Sequence, residues 1–455
     1  MPTPASPSDP ARRMAETGIG FAGVDGAWWR PAVRPFALPA SARPALEEIG
    51  RALFALFDAV VALYGTPEGA AGGLDALLTH HVPAHLPRLV SPARVLSLRP
   101  DFQLVPRPDG GFAFVATELE MCPSAHGFAH ALQVGYGLEP DLAPAFARLL
   151  AGRELWFVGT EAWSEFLIEQ LAFCRALADH GARARVLYDR PLGRMAREFK
   201  EGRRWQPPMF GLSAKPPGWD DDLPGRLRAR DLLRFMAPDR AWPETLGDSV
   251  VFRFGYFDCF TPDRLRRFQA WESAGATPLN PTTFYLESKA VMAAARLPGV
   301  RARLAADLLR ALDRAVPETI VLKAGALEPV LDEPDRWVLK FAGFDGGQQA
   351  WGGRSLQIGA DHTRASWADA VRGYAALPWP TVAQRLTATA RLEIDYLGGG
   401  EVRTLRDAST RLRVFLVRQG EAAVACGAHL TAAAGAAPVS EAADAVQAPV
   451  IFKNP

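Results

Sequence analysis

Alternating apolar and polar residues predict a β-hairpin in the first third of the chain. Two short runs rich in aromatic and β-branched residues, 102–105 and 112–116, flank the sequence RPDGG, whose proline and glycines suit a hairpin loop. Side chains two residues apart on a strand share a face, so Glu118 and Glu120 point the same way. Antiparallel pairing brings Asp101 back beside them. The pattern therefore predicts three carboxylates at one end of a hairpin.

Beyond the hairpin, helical and strand-like patterns alternate along the chain. A strand, a helix and a second strand in direct succession indicate a βαβ unit, which requires a parallel sheet. The predicted fold class is therefore α/β, with helices and strands mixed. Helices are predicted at 45–64, 162–180 and 261–274, strands at 154–158, 184–188, 250–255, 336–340, 379–384, 390–396 and 410–417, and an Ala-rich loop or frayed helix at 431–448.

The composition of the chain mainly excludes certain classes of protein. The 455 residues include 51 basic and 50 acidic side chains, so no strong field draws nucleic acid or an anionic membrane to the protein. The four cysteines lie far apart without a CxxC pair, which argues against a disulfide framework and fits a reducing cytosol. No window has the apolar character of a signal peptide or the length of a membrane span. We therefore expect a cytoplasmic protein of two or three domains.

Two short motifs point to other kinds of site, and their context argues against both. Gly18, Gly20 and Gly23 spell GxGxxG, but no apolar strand precedes them and WWRP stands where the helix of a dinucleotide site would begin. The HHxxxH motif at 80–85 has the residues of a metal site, but Pro83 breaks the helix that would align them. A solvated helix end is the favoured interpretation of this motif.

The three converging carboxylates carry the first candidate chemistry. They repel one another, and such a cluster is stable when a cation or a basic side chain neutralises it. Carboxylate oxygens with room for water and phosphate suit Mg²⁺. Arg99 lies two residues before Asp101 on the same face, where it could hold a phosphate that the metal bridges. The alternative is a solvated hairpin whose acids fall at its edges by chance.

A second charged locus lies in the last third of the chain. The predicted strand 336–340 ends in Lys340, and the glycine-rich sequence FDGGQQAWGG follows it. Glycines let backbone N–H groups approach a phosphate closely, and a lysine at a strand end supplies a positive charge. The GK[ST] order of a P-loop is absent, so the pattern predicts another kind of phosphate site. A plain glycine-rich hairpin is the alternative.

In their joint order these motifs resemble the ATP-grasp superfamily, and in particular its circularly permuted branch of glutathionylspermidine-synthetase-like proteins. Ordinary members carry the magnesium carboxylates after the lysines, whereas here the carboxylates come first. The branch has Arg-x-Asp followed by Glu-x-Asn on a hairpin. Arg99 and Asp101 match the first motif, and Glu118 matches the second, with Glu120 in place of the asparagine.

The resemblance also implies an architecture and a role for each matched residue. The architecture is a circularly permuted ATP-grasp fold with a Rossmann-like pre-ATP-grasp domain. The implied division is a disordered tail at 1–16, a helical lead-in with the acidic hairpin at 17–150, the pre-ATP-grasp α/β domain at 151–290 with a long loop at 190–245, and the lid with the remaining core at 291–455. Asp101, Glu118 and Glu120 would hold two magnesium ions, Arg99 the γ-phosphate, Lys289, Lys340 and the lid residues Gly346, Gly347 and Gln348 the nucleotide phosphates, Gln384 the adenine, and Arg411 or Arg413 a substrate or phosphate.

The activity implied by the resemblance is that of an ATP-dependent carboxylate–amine ligase. Its cofactors would be ATP and Mg²⁺, and its substrates a small carboxylate and an amine of the amino acid, peptide or polyamine type. ATP would phosphorylate the carboxylate, and the amine would displace phosphate from the acylphosphate to leave an amide. Two alternatives stay open, a degenerate or kinase-like ATP-binding protein and a non-enzymatic α/β binding module. The oligomeric state is also open, with a homodimer as the commonest arrangement.

Overall fold

The computed structural model of the chain describes residues 9–19, 29–160, 163, 166–188, 234–237, 242–323, 325–345, 355–398, 400–435 and 445–453. Helices and strands alternate through these residues, so the predicted α/β class is confirmed. The strands are β1 Arg30–Pro31, β2 Phe36–Pro39, β3 Ser97–Pro106, β4 Phe112–Glu120, β5 Glu154–Gly159, β6 Arg183–Tyr188, β7 Val250–Phe254, β8 Thr277–Pro278, β9 Thr319–Val321, β10 Trp337–Phe341, β11 Gln357–Ile358, β12 Thr381–Arg385, β13 Leu392–Gly398, β14 Glu401–Gln419, β15 Ala422–Ala433 and β16 Val446–Lys453. The helices are α1 Asp9–Glu16, α2 Ala42–Leu63, α3 Pro67–Ala71, α4 Leu74–Thr79, α5 His126–Gly135, α6 Leu142–Leu150, α7 Leu167–Asp179, α8 Pro262–Ser273, α9 Ala290–Ala294, α10 Pro298–Arg301, α11 Ala306–Ala315, α12 Glu328–Asp332 and α13 Arg364–Ala375.

The acidic hairpin lies at the edge of a large mixed sheet. Its strand order is β1-β16-β15-β14-β3-β4, with β13 paired to β14 and β2 to β16. Strands β3 and β4 form the predicted hairpin, in which Asp101 lies opposite Glu118 and Arg99 opposite Glu120. Strand β14 pairs with the other side of β3 and sets Arg413 opposite Asp101. Residues 312 positions apart in the sequence thus meet on neighbouring strands.

A second sheet contains the predicted βαβ unit. Its strands have the order β6-β5-β7-β8, and every pair is parallel. Helix α7 connects β5 to β6 and packs against β6, which confirms the predicted crossover. Buried aromatic rings, among them Phe157, Phe173 and Phe252, form the core beneath this sheet. The same core receives the first residue of α5, which follows the acidic hairpin.

A small antiparallel sheet carries the second charged locus. Its strand order is β11-β10-β12-β9, and it has a core of its own around Trp337 and Trp367. Lys340 lies on β10 and Gln384 on the neighbouring strand β12. The lid residues Gly346, Gly347 and Gln348 lie outside the described residues, as does most of the long loop at 190–245.

The prediction for 431–448 is wrong at 431–433 and 446–448, which lie in strands. Residues at its two ends belong to the paired strands β15 and β16, with Thr431 opposite Gln447. Ala432 and Ala448 are buried in this pairing. Strand propensity depends mainly on burial and on the neighbouring strands, so tertiary pairing overrides the low intrinsic preference of alanine.

The start of the chain also differs from the expected tail at 1–16. Residues 9–16 form α1, and Met14 is fully buried against α5. The contact depends on Gly135, because a Cβ at this position would lie 2.6 Å from Cγ of Met14. No helix within the described ranges is long and apolar enough to cross a membrane.

His126 is expected to make stability depend on pH. Its ring is fully buried among aromatic rings, and neither ring nitrogen has a hydrogen-bond partner in the described part of the chain. Burial, with a smaller effect of Arg99, lowers the pKa of His126 to about 3. Because the unfolded chain binds a proton near pH 6.5 and the folded chain does not, wild-type stability falls as pH drops below 6.5.

The variant His126→Phe removes this proton-binding group. We expect its free energy of unfolding, relative to wild type, to increase by about 2 kcal/mol between pH 7 and pH 5. Urea unfolding at both pH values measures the change. The exposed His85→Phe is the control and should show no such increase. An equal pH dependence in His126→Phe and wild type would contradict the prediction.

Candidate active site

Asp101 is the centre of a buried cluster of arginines. Its side chain is 3% exposed. Oδ1 accepts a hydrogen bond from Nε of Arg99 at 3.3 Å. Oδ2 accepts one from Nη1 of Arg411 at 3.4 Å and one from Nε of Arg413 at 3.3 Å. Burial acts to raise the pKa of Asp101, but the guanidinium groups hold it well below its usual range, so the carboxylate is ionised.

Glu118 connects this cluster to a lysine from another part of the chain. Nζ of Lys289 lies 2.6 Å from Oε1 of Glu118, and Nη1 of Arg411 lies 4.0 Å from Oε2. Lys289 immediately precedes α9, and its backbone N–H donates to the carbonyl of Ala342, just after β10. Burial would raise the pKa of Glu118, yet Lys289 holds it below its usual value. The predicted metal ligand and the predicted phosphate lysine therefore form an ion pair.

Lys340 joins the small sheet to the hairpin. Its Nζ donates to the carbonyl of Thr117 at 3.1 Å and to Oε1 of Gln384 at 2.8 Å. Thr117 lies on β4, at the edge of the large sheet, so the lysine spans the gap between two sheets. Burial lowers the pKa of Lys340 to about 7, because a charged ammonium loses its hydration there.

Glu120 is the carboxylate that stands in place of the asparagine in the Glu-x-Asn motif that the hairpin resembles. It is 9% exposed, and within the described residues its side chain has no hydrogen bond or ion pair. Burial, followed by the neighbouring charge of Glu118, raises its pKa to about 8. At neutral pH the side chain is therefore largely an uncharged acid, which, like an asparagine amide, both donates and accepts hydrogen bonds.

The raised pKa of Glu120 predicts that the stability of the fold depends on pH. The unfolded side chain releases its proton near pH 4.5 and the folded one near pH 8, so stability falls as pH rises through this window. We expect the free energy of unfolding of Glu120→Gln, relative to that of the wild type, to increase by about 2 kcal/mol as the pH rises from 6 to 8. Chemical unfolding at the two pH values measures it, with the exposed Glu139→Gln as the control. A constant difference between Glu120→Gln and wild type would count against the buried-acid interpretation.

A small cavity adjoins this network. It has a volume of about 30 Å³ and lies between the end of the hairpin, the segment after β7 and the residues after β10. Its polar lining includes Glu118, Glu120, Tyr256, Asp258 and Lys289. The cavity thus connects side chains from all three sheet regions.

Comparison with solved structures identifies the fold. No family model and no curated protein matches the sequence. A glutathione synthetase-like effector from Globodera pallida, solved in its apo form, aligns over 97% of this chain and 95% of its own length, with a TM-score of 0.52 and 12% identity. This chain has a glutathione synthetase-like fold. A protein assigned as a gamma-glutamylcysteine synthetase from Methylobacillus flagellatus KT aligns over 82% of this chain and 84% of its own, with a TM-score of 0.36 and 10% identity.

In this glutathione synthetase-like fold, the predicted magnesium ligands differ in what they can offer a metal. Among the described residues, no three His, Cys, Asp or Glu side chains form a group that could hold a metal ion. Both oxygens of Asp101 face guanidinium groups, whereas Glu118 and Glu120 line the cavity. Glu118 and Glu120 face the space where an ion could enter, but Glu118 is paired with Lys289 and Glu120 would have to lose its proton to bind a metal. All three metal roles stay predictions.

The fold brings most of the sequence-predicted site residues into one network of contacts and shared cavity. The lid residues are outside the described part of the chain. Sequence reasoning missed two features of the network, the Thr117 carbonyl and a buried pair between Arg253 and Glu287. Neither carries a sequence signal, since one is a backbone group and the other depends on tertiary packing. The residues brought together are Arg99, Asp101, Glu118, Glu120, Lys289, Lys340, Gln384, Arg411 and Arg413.

Proposed function

We propose that the protein is an ATP-dependent carboxylate–amine ligase that forms an amide through an acylphosphate and releases ADP and phosphate. One observation carries the proposal, the contact of Lys340 on the small sheet with the Thr117 carbonyl on the hairpin. It sets Lys340 of the small sheet beside the basic residues of the hairpin, an arrangement that suits a polyphosphate bound between the two sheets. The permuted order of the motifs and the glutathione synthetase-like fold support the same proposal.

The charge of the Asp101 cluster favours an anionic ligand. Three guanidinium groups converge on one carboxylate, so these four side chains have an excess of positive charge. An uncompensated buried charge is costly, and a phosphate group would compensate it. Arginine suits this role because its planar fork of N–H donors matches phosphate oxygens. We therefore assign the transferring phosphate to Arg99, with Arg411 and Arg413 beside it.

Nucleotide binding requires Lys340 to exchange its partners. A cavity of about 30 Å³ accommodates water but not a nucleoside triphosphate. In the proposed binding mode the small sheet moves away from the hairpin, and Nζ of Lys340 leaves the Thr117 carbonyl for a phosphate oxygen. When Nζ of Lys340 turns to the phosphate it also leaves Oε1 of Gln384, which is then available to the adenine.

The low pKa of Lys340 gives nucleotide binding a specific pH dependence. Phosphate favours the charged ammonium, so above pH 7 binding of ATP takes up a proton. We expect the dissociation constant for ATP to rise by up to tenfold per pH unit between pH 7 and pH 9. Isothermal titration calorimetry measures it, and Lys340→Arg, which stays protonated, should flatten the profile. A flat profile in the wild type would contradict the role of Lys340.

Magnesium would be held by Glu118 and Glu120, which line the cavity, provided that Lys289 turns from Glu118 to a phosphate and Glu120 loses its proton. When bound, the ion would neutralise negative charge on the phosphates. The chain itself supplies no nucleophile in this scheme, because the substrate carboxylate attacks the phosphate and the amine attacks the acylphosphate. The residues of the chain bind and orient the reactants, and the closed small sheet keeps water away from the acylphosphate.

The test is release of ADP from ATP and magnesium in the presence of paired acids and amines. The proposal predicts ADP release that requires both substrates and yields an amide detectable by mass spectrometry. Lys340→Met should abolish it, while Lys323→Met, an exposed lysine near β9, should not. ADP release without amide formation across the amino acid, peptide and polyamine classes would contradict the ligase proposal.

A second candidate is a degenerate or kinase-like protein that binds ATP without forming amides. The observation in its favour is Asp101, both of whose oxygens are engaged by guanidinium groups. A nucleotide site with fewer metal ligands binds phosphate through its basic residues and need not transfer it to a carboxylate. Nucleotide binding with phosphorylation of an added hydroxyl substrate would favour this candidate.

A further inference from the structure

The segment that ends at Lys289 is attached to the parallel sheet by a buried asparagine. Asn280 is 1% exposed. Its Oδ1 accepts the backbone N–H of Arg253 at 2.9 Å, and its Nδ2 donates to the carbonyl of the same residue at 2.8 Å. The side chain thus satisfies both backbone groups of one residue of β7, as a neighbouring strand would. The beginning of the segment is therefore fixed to the parallel sheet.

A buried ion pair attaches the same segment near its other end. The guanidinium group of Arg253 donates to the Gly255 carbonyl at 2.8 Å and to Oε1 of Glu287. Oε2 of Glu287 accepts the backbone N–H of Phe257 at 2.7 Å. Both side chains of the pair are less than a tenth exposed. A charge-assisted pair with these additional partners has little freedom to reorient.

Lys289 follows Glu287 by two residues and is attached from the opposite side. Its backbone N–H donates to the Ala342 carbonyl at 2.9 Å, and its Nζ lies 2.6 Å from Oε1 of Glu118. The short stretch 287–289 is therefore clamped between the parallel sheet on one side and the hairpin with the end of β10 on the other. The position of the lysine depends on both attachments.

We infer that the Arg253–Glu287 pair positions Lys289 and so connects the parallel sheet to the candidate active site. The role of Lys289 toward nucleotide rests on the proposed function, whereas the positioning itself is a property of the folded chain. Arg253 and Glu287 are positioning residues, because they act through the lysine and not on the reacting atoms. Through this pair the parallel sheet contributes to nucleotide binding, because it fixes the position of Lys289.

The test measures access to Lys289 without any nucleotide. The folded protein is treated with an amine-reactive acetylating reagent, and the extent of labelling of each lysine is determined by peptide mass spectrometry. In the wild type, Lys289 and Lys340 should be protected, while the exposed Lys323 is labelled. In Arg253→Met we expect labelling of Lys289 to accelerate at least tenfold, with Lys340 unchanged.

Two further variants distinguish positioning from general loosening. Arg185→Met removes an exposed arginine–glutamate pair of the same sheet and should leave both lysines protected. Arg253→Met with Glu287→Met replaces the buried pair by apolar side chains, so the chain stays folded, and Lys289 should still be labelled. The inference is overturned if Lys289 stays protected in folded Arg253→Met, or if Lys289 and Lys340 lose protection together.

A second measurement connects this result to nucleotide binding. We expect Arg253→Met to weaken ATP binding about as much as Lys289→Met does. A variant that combines Arg253→Met with Lys289→Met should bind ATP no more weakly than either single variant, since both changes remove the same interaction. Additive losses would overturn the inference. If the wild type does not bind ATP, the proposed function fails, and the labelling experiment still decides the positioning role.

Discussion

Replacing Asp101 by alanine is expected to lower the free energy of unfolding by about 3 to 5 kcal/mol, because it leaves Arg99, Arg411 and Arg413 converging without their shared carboxylate. The folded pKa of Asp101 lies below its unfolded value of 3.8, so this contribution is present at pH 7 and is lost only in acid. Denaturant unfolding at pH 7 measures the loss.

Two controls show whether the loss comes from buried charge. Asp109→Ala, in the exposed loop of the same hairpin, should cost less than about 1 kcal/mol. Adding Arg413→Met to Asp101→Ala should recover part of the lost stability, since it removes one of the unpaired cations. A loss below about 1 kcal/mol in Asp101→Ala, or no recovery in the double variant, would show that the carboxylate does not hold the arginines together.

Replacing Lys289 by methionine is expected to weaken binding of magnesium–ATP by roughly 10- to 100-fold. A hydrogen bond to a charged group contributes about 1.5 to 3 kcal/mol, and each 1.4 kcal/mol is a factor of ten in affinity. The variant also leaves Glu118 without its closest cation, so some loss of stability accompanies the loss of affinity. Calorimetric titration of the folded variant measures the affinity.

The control for this change is a lysine outside the network. Lys323→Met, near β9, removes the same charge from an exposed position and should leave the affinity within twofold of the wild type. Equal affinity in Lys289→Met and wild type would contradict the assignment of this lysine to the nucleotide. Equal weakening by both variants would indicate a non-specific effect of net charge.

The parts of the fold that local chemistry determines could be predicted from sequence. The hairpin of β3 and β4 follows from a two-residue period and a Pro-Gly loop, and so does the return of Glu118 and Glu120 to the side of Asp101. The exact opposition of Asp101 and Glu118 depends on a shift of register between Asp101 and Phe102, which the sequence pattern does not show. The βαβ unit around α7 follows in the same way, because one strand pattern is separated from the next by a single helix. These features depend on neighbours within about 30 residues of one another.

The arrangement of the site around Asp101 could not be predicted in the same manner. The resemblance suggested Arg411 or Arg413 as alternatives, whereas the structure places both at Asp101 because β14 pairs with β3. Such pairing between distant segments depends on the whole sheet and leaves no local pattern. The neutral state of Glu120 also depends on burial, which a sequence shows only indirectly.

The prediction for the segment 431–448 was wrong for a related reason. Alanine favours helices and weakly disfavours strands, so an Ala-rich sequence indicates loop or helix when it is considered alone. In the fold, Ala432 and Ala448 are buried between paired strands, and Thr431 donates a hydrogen bond to Gln447. Partners that lie outside the local sequence decided the structure there.

The most direct test of the central claim is thermal unfolding of the wild type and of Lys340→Met, each with and without magnesium–ATP. A ligand that binds only the folded state raises stability by RT ln(1 + [L]/Kd), about 2.7 kcal/mol at 100 times Kd. We expect a clear rise in Tm for the wild type and little or none for the variant. No rise in the wild type, or an equal rise in both proteins, would contradict a nucleotide site between the small sheet and the hairpin.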